Sequence, residues 1–235
     1  MIDETLSFLR KMRMPHVFRA LETYAKGGVL DIGGRRFFQY VEHSSSITFT
    51  SWTCLEQNES ASSYDDPRYR LVVGDGEKIP FPDNSFDTAV NIQVLEHTMN
   101  PNQMVHEIAR VLKPGGNGIF LIPQTSALHE IPTHYYNFTR YWVEKAFAEA
   151  GLTIRELIPV GGRWSTHASH MVYFFLEAFR YKTFSSQEYK RNVWFYILLP
   201  FMAVYAVFGI VFGMIFSIGD LTEDPNNLLV VAVKK

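Results

Sequence analysis

The chain predicts an α/β fold with a mostly parallel sheet, and three observations carry that expectation. Short apolar runs recur along it: VLDI at 29–32, LVV at 71–73, GIFLIP at 118–123 and LLVVAV at 228–233. Several are separated by stretches whose apolar residues repeat at three- and four-residue intervals. Glycine, proline, aspartate and asparagine cluster where the pattern changes. Strands alternating with helices imply βαβ units and a parallel sheet.

In chain order, Leu6, Leu9, Met12, Phe18, Leu21 and Tyr24 predict an amphipathic helix over 3–26, interrupted at Pro15 and stopped by Gly27-Gly28. Val29–Ile32 is a buried strand ending in Gly33-Gly34. A second strand is expected in Ile47–Leu55, a third at Leu71–Val73 and a fourth at Phe86–Val94. Pro101 opens a helix whose face is Met104, Val105, Ile108, Val111 and Leu112, with Pro114-Gly115-Gly116 as its stop. Gly118–Pro123 is the fifth strand. Thr139 caps a helix that ends at Gly151. Thr153–Ile158 and Leu228–Val233 complete the set.

The 235 residues suit a single domain, and 47% apolar with 20% charged residues is the composition of a chain with a real core. Lys+Arg is 22 against Asp+Glu at 24, so the basic surplus that wraps nucleic acid is missing and no nucleic-acid partner is expected. A lone cysteine, Cys54, excludes an internal disulfide and a cysteine-based zinc site. MIDETLSFLRKMRMPHVFR lacks the apolar core of a secretory signal, so a cytoplasmic location is expected. Asn192–Gly219 holds no charged residue. A helix over that run would be about 42 Å long against a bilayer core of about 30 Å. Pro200 is expected to break it, leaving Phe201–Gly219. The run is expected not to span. It is expected to lie in the interface, as peripheral contact at the inner face of the membrane, or to meet a second copy as a homodimer, or to lie as a lid over the core. Lys182, Lys190 and Arg191 upstream suit anionic headgroups.

Parallel sheets bind ligands beyond the carboxyl ends of their strands. After strand one come Asp31, Gly33 and Gly34. These fit a close approach to a ligand, or only a tight turn. After strand three come Asp75, Gly76 and Glu77. Asp75 can accept from an exocyclic amine, or simply make an Asx turn. After strand four come Gln93 and His97. After strand five, Gln124–Thr139 holds His129, Glu130 and His134 beside Tyr135 and Tyr136. An imidazole titrating near pH 6.5 suits proton acceptance, while loop packing by the tyrosines with His129 closing a turn is the plainer use. His97, His129, Glu130 and His134 match no common metal-ligand spacing, so no metal is expected.

Together VLDIGG (29–34), VVGDGEKIPFPDNSFD (72–87) and NIQVLEHTMNPNQMVHEIARVLKPGG (91–116) resemble the class I S-adenosylmethionine-dependent methyltransferases, in the subgroup typified by methyltransferase type 11. The resemblance covers about 27–160 and the last strand. It implies a Rossmann-like, seven-stranded, mostly parallel sheet with an antiparallel last strand, helices on both faces and an apolar helical insertion at about 163–222. It implies S-adenosylmethionine as cofactor and S-adenosylhomocysteine as product. Gly33-Gly34 would lie against the methionine and ribose, with Gln93 near the methionine and Asp31 and His97 as further cofactor-binding residues. Asp75 would take the adenine amine, with Gly76 and Glu77 beside the ring. Glu56 is favoured over Glu59 for the ribose hydroxyls. Where the family pattern D-x-G-x-G-x-G continues with a small residue, this chain has Arg35-Arg36-Phe37. Those side chains either crowd the cofactor or project outward, so a catalytically degenerate homologue serving as an assembly subunit is the alternative. HEIPxHYYxFTR resembles a branch tied to polysaccharide and glycolipid biosynthesis. That implies a sugar or lipid-linked hydroxyl as acceptor, with a quinone precursor as a further option.

Overall fold

A computed structural model describes residues 14–58, 64–130, 132–178 and 191–235. Its sheet has seven strands in the order β3-β2-β1-β4-β5-β7-β6. These are β1 (Gly28–Ile32), β2 (Ser51–Glu56), β3 (Tyr69–Val73), β4 (Phe86–Ile92), β5 (Leu112–Pro123), β6 (Leu152–Val160) and β7 (Asn227–Lys234). β1 pairs in parallel with both β2 and β4, and β4 with β5. β7 runs antiparallel between β5 and β6. The predicted fold class, last strand included, is the observed one. The chain winds outward from β1 in one direction and resumes at β4 in the other. The carboxyl ends of β1 and β4 therefore flank the crevice where such sheets take ligands.

Each face of the sheet carries its own core. On one, α2 (Pro101–Val111) and α3 (Arg140–Glu149) bury Met104, Val105, Ile108, Val143 and Phe147 against Leu30, Phe120 and Val230. A fully buried side chain of this kind contributes about 1.5–3 kcal/mol. On the other, helical residues 14–24, here α1, bury Val17, Ala20 and Leu21 beside Phe37, Phe38 and Trp52. The expected helix start at 3–13 lies outside the described residues. α3 begins where expected, the Thr139 side chain accepting from the Trp142 N–H.

Beyond shifts of one or two residues at strand ends such as those of β3, β4 and β6, three features differ from expectation. β2 begins at Ser51 rather than Ile47, because Ile47 is buried from a loop and Ser51 is the first residue with a partner, Gly28. β5 begins at Leu112, and a register shift between Phe86 and Thr88 absorbs Pro114-Gly115-Gly116 as an irregular lead-in. Pro200 does not break the apolar run: α5 (Val193–Phe216) passes through it. A proline removes one ladder hydrogen bond and bends an exposed helix rather than ending it.

α5 packs on α4 (Arg163–Ala178), and both lie between β6 and β7 in sequence. A Cβ on Gly209 would meet Met171 at 2.8 Å and one on Gly213 would meet Ala168 at 2.8 Å, so these glycines set an antiparallel close approach. Met171, Phe174, Leu198, Phe201, Met202 and Tyr205 line an apolar cleft of about 350 Å³ there. The helical stretch Val193–Gly219 has mean hydropathy 2.3 and is 11% buried, long and apolar enough to cross a membrane by length and composition.

Candidate functional site

The glycine turn after β1 is built around a buried carboxylate. Asp31 is 1% exposed, and its Oδ2 accepts from the Trp52 indole N–H at 3.1 Å. Its Oδ1 has no hydrogen-bond partner among the described residues. Burial pushes the carboxyl up to about 7 against the pull of the Trp52 bond. A Cβ on Gly34 would lie 1.9 Å from Asp31 Oδ2, so no side chain fits at that position. Gly33, at φ +69°, packs against Val94, and its N–H donates to the Leu55 carbonyl at 2.9 Å.

The departure at Arg35-Arg36-Phe37 resolves into separate fates. Phe37 turns into the core beside Trp52. Arg35 takes the left-handed φ of +42° that the family pattern reserves for small residues. Its backbone N–H donates to Glu56 Oε1, and its guanidinium reaches across to Glu130 with a 3.1 Å ion pair. Glu56 thus closes the end of β2 onto the turn. Glu59, its alternative, lies outside the described residues.

After β3, Asp75 is exposed and its Oδ1 accepts from the Glu77 N–H at 2.8 Å, forming the Asx turn. Gly76 is buried where a Cβ would meet Met104 Cε at 2.6 Å. Glu77 turns away to accept from the Thr98 hydroxyl and from Asn100, at 3.1 Å from its N–H and 2.6 Å from its Nδ2, which holds its carboxyl below the usual range. It joins the β3 loop to the start of α2. The rest of the motif is structural: Arg110 binds Glu107, Asp83 and the Phe81 and Ile79 carbonyls, and Lys113 binds Asp87.

The ends of β4 and β5 gather the histidines. Gln93, at φ +58°, donates its side-chain amide to Asn227 Oδ1 at 2.6 Å. A single 3₁₀ turn, Leu95–His97, follows. The Glu96 N–H–C=O segment anchors the loop from β5, because the Tyr135 N–H donates to its carbonyl at 2.8 Å. That docking brings the rings of His97, His129 and His134 together, with centroid separations of 5.0, 5.8 and 4.3 Å.

Each ring's partners decide its tautomer. His97 Nδ1 faces the Thr133 carbonyl at 3.0 Å and His129 Nδ1 faces the Ala127 carbonyl at 2.9 Å. A carbonyl only accepts, so both Nδ1 atoms carry the hydrogen and both Nε2 atoms present lone pairs. His134 is the reverse: its Nδ1 accepts from the His129 N–H and its Nε2–H donates to the Tyr136 carbonyl. Burial, then the neighbouring His129, pull His134 down to about 4. Its two nitrogens hold the loop. Glu130, at φ +48°, is committed to Arg35.

Glu96 escaped sequence reasoning. It is fully buried, and neither carboxylate oxygen has a hydrogen-bond partner among the described residues. Burial raises its carboxyl to about 8. The signal was an acid in the apolar frame Val94-Leu95, directly before His97.

Residues 33–120 match the family model described as a methyltransferase domain. A Mycolicibacterium smegmatis protein named for S-adenosylmethionine-dependent methyl transfer is 45% identical over 56 residues, 24% of this chain and 21% of its own length. The phthiotriol/phenolphthiotriol dimycocerosates methyltransferase of Mycobacterium tuberculosis is 31% identical over 100 residues, 37% of each chain. The chain thus spans well under two thirds of these curated relatives. In fold, it is similar to a chain of the complex between the Haloferax volcanii Trm112 methyltransferase activator and a methyltransferase, with TM-score 0.64, 16% identity and coverage of 99% and 94%. It is also similar to an S-adenosylmethionine-dependent methyltransferase of Mesorhizobium loti, with TM-score 0.57, 13% identity and coverage of 94% and 98%.

These findings support a class I methyltransferase domain with S-adenosylmethionine as its cofactor. The residues present fit that molecule. The unpartnered Asp31 Oδ1 lies under the glycine turn. Glu56 Oε1 accepts from the Arg35 N–H and lies by Cys54, and the Asx turn of Asp75 uses Oδ1. Carboxyl groups thus gather on three adjoining strand ends, buried at β1 and exposed after β3.

Proposed function

We propose that this chain transfers a methyl group to a hydroxyl of a sugar or glycolipid. The observation that carries the reading is the convergence of Glu96, His97 and His129 at the ends of β4 and β5, beside a glycine turn joined to the same loop through Arg35 and Glu130. When bound, S-adenosylmethionine supplies a methyl group on a sulfonium, open to in-line displacement. The chain's own residues hold the partners in reach of each other, the main contribution to such a displacement. The backbone at Gly33-Gly34 would face the methionine and ribose, Glu56 would hold the ribose hydroxyls and Asp75 the adenine amine, with Gly76 alongside. Gln93 positions the β4 end from its clamp on Asn227. The acceptor hydroxyl gives up its proton to the group formed by Glu96, His97 and His129. His134 and Glu130 position His129 from either side.

The acceptor class is supported by α5, an apolar helix left open on a chain whose Mycobacterium tuberculosis relative is named for phthiotriol and phenolphthiotriol dimycocerosates. β6 and β7 are sheet neighbours on either side of the α4–α5 pair, so a single crossing would part β7 from its partners. An interfacial helix at the inner membrane face keeps the sheet whole.

A second reading, a catalytically silent cofactor-binding homologue, is favoured by Arg35 at a left-handed position of the glycine turn. Incubation with methyl-labelled S-adenosylmethionine and a membrane extract of lipid-linked glycans separates the two. Label in an alkali-stable sugar ether is the expected result. Binding of S-adenosylhomocysteine with no transfer to any extract supports the silent homologue, and label in a quinone fraction moves the acceptor to an aromatic ring.

A further inference from the structure

Glu96 is a carboxyl group taken out of water with no hydrogen-bond partner among the described residues, which is costly unless another group completes it. Two imidazoles face it. His97 Nε2 lies 3.9 Å and His129 Nε2 lies 4.0 Å from the same oxygen, Oε1, and one ligand atom from each residue falls within 4.8 Å of the others. In both rings the hydrogen is held on Nδ1 by a backbone carbonyl, so the lone pair is fixed on the inward nitrogen. That is how a metal-binding histidine is oriented by its surroundings.

We propose that Glu96, His97 and His129 bind one divalent transition-metal ion, with the acceptor's oxygen completing its coordination. Two histidines and one carboxylate with open positions is a donor set for zinc or ferrous iron. Imidazole ligands argue against magnesium and calcium, which take oxygen. Bonds of about 2.1 Å in a tetrahedron put ligand atoms about 3.4 Å apart, so each glutamate–histidine pair must close by about half an ångström and the histidine pair by up to about 1.4 Å. Rotation of side chains on a 3₁₀ turn and a loop supplies that. The third ring, His134, is excluded as a ligand because both its nitrogens are engaged; it holds the backbone of His129 in place. The ion's service to the acceptor rests on the proposed methyl transfer: an oxygen bound to such an ion would release its proton to solvent water near neutral pH, in place of direct transfer to the three side chains. The site itself does not rest on it.

Chelator-treated protein titrated with Zn²⁺ in a calorimeter, and with Co²⁺ by visible absorption, tests the site. One equivalent of each is expected to bind, with cobalt bands typical of a low-coordinate nitrogen and oxygen site. Glu96→Gln and His129→Gln are each expected to weaken Zn²⁺ binding more than about 100-fold, beyond the loss typical of outer-sphere partners. His106→Gln, on an exposed face of α2, is expected to bind as the parent does. No saturable binding by the parent, or undiminished binding by both cluster variants, overturns the proposal. If Glu96→Gln does not fold, His129→Gln decides. S-adenosylhomocysteine titrated into the same samples keeps the two readings apart: loss of nucleoside binding throughout defeats the methyltransferase reading and leaves the metal result standing.

Discussion

Asp31 and Glu96 are both buried carboxylates at the carboxyl ends of adjoining strands, and burial raises both. They differ in what surrounds them. Asp31 is held by the Trp52 indole and roofed by Gly34, so it sits inside a rigid turn. Glu96 has no hydrogen-bond partner among the described residues and faces two imidazole lone pairs. On the first half of the rim the chain binds one oxygen of the carboxylate and leaves only Oδ1 without a hydrogen-bond partner among the described residues. The second half is arranged around a group the chain does not supply. On the proposed reading the contrast is between a cofactor side, shaped by backbone and glycine, and an acceptor side, shaped by side chains.

The largest effect is expected on the cofactor side. Gly34→Ala forces a methyl into Asp31 and is expected to cost about 3 kcal/mol, read as a lowered unfolding midpoint and lost S-adenosylhomocysteine binding. A stable variant with parental affinity would show that the turn is looser than the structure has it. Asp75→Ala is expected to weaken that binding by about 1–3 kcal/mol, read by calorimetry, because the adenine amine loses its acceptor. Unchanged affinity would remove Asp75 from the cofactor side.

The acceptor side is sharpened by pH. The Glu96 carboxyl is raised in the folded protein from 4.5 to about 8, so the folded state binds the proton more tightly than the unfolded one. That contribution to stability is complete below about pH 4.5 and is lost as pH rises through about 8. The metal-free protein is expected to lose up to about 1.4 kcal/mol per pH unit within that window. Glu96→Gln is expected to flatten this part of the profile, and added Zn²⁺ to reverse it by binding the charged form. Thermal unfolding against pH measures all three. Asp31→Asn tests the other carboxyl, whose window ends near pH 7.

The smallest effect is expected at the link between the two sides. The Arg35 and Glu130 side chains are 68% and 41% exposed, so Arg35→Ala is expected to change stability by no more than about 0.5 kcal/mol. A larger loss of turnover than of stability would show that the pair aligns the loop with the turn.

The glycine turns after β1 and β3 were legible in the sequence. VLDIGG and LVVGDG each place a glycine turn directly after an apolar run, and strand, turn and ligand edge follow locally. The α2 face was legible because its period is that of a helix. Glu77 was not: its carboxylate is claimed by Thr98 and Asn100, a contact made only when the β3 loop meets the start of α2. The acceptor side was legible as a histidine-rich loop and no further. Its geometry depends on residues 95–97 meeting residues 129–134, through hydrogen bonds from Tyr135 to the Glu96 carbonyl and from His97 to the Thr133 carbonyl. Spacing along the chain does not report such a meeting, which is why Glu96 was passed over and no metal was expected. Pro200 was read as a stop because local rules favour one, but an exposed helix tolerates the bend.

Calorimetric titration of the folded parent protein with S-adenosylhomocysteine bears most directly on the whole reading. Saturable one-to-one binding, weakened in Asp75→Ala and retained in Glu96→Gln, is the expected result. A folded protein that takes up neither S-adenosylhomocysteine nor S-adenosylmethionine would contradict it.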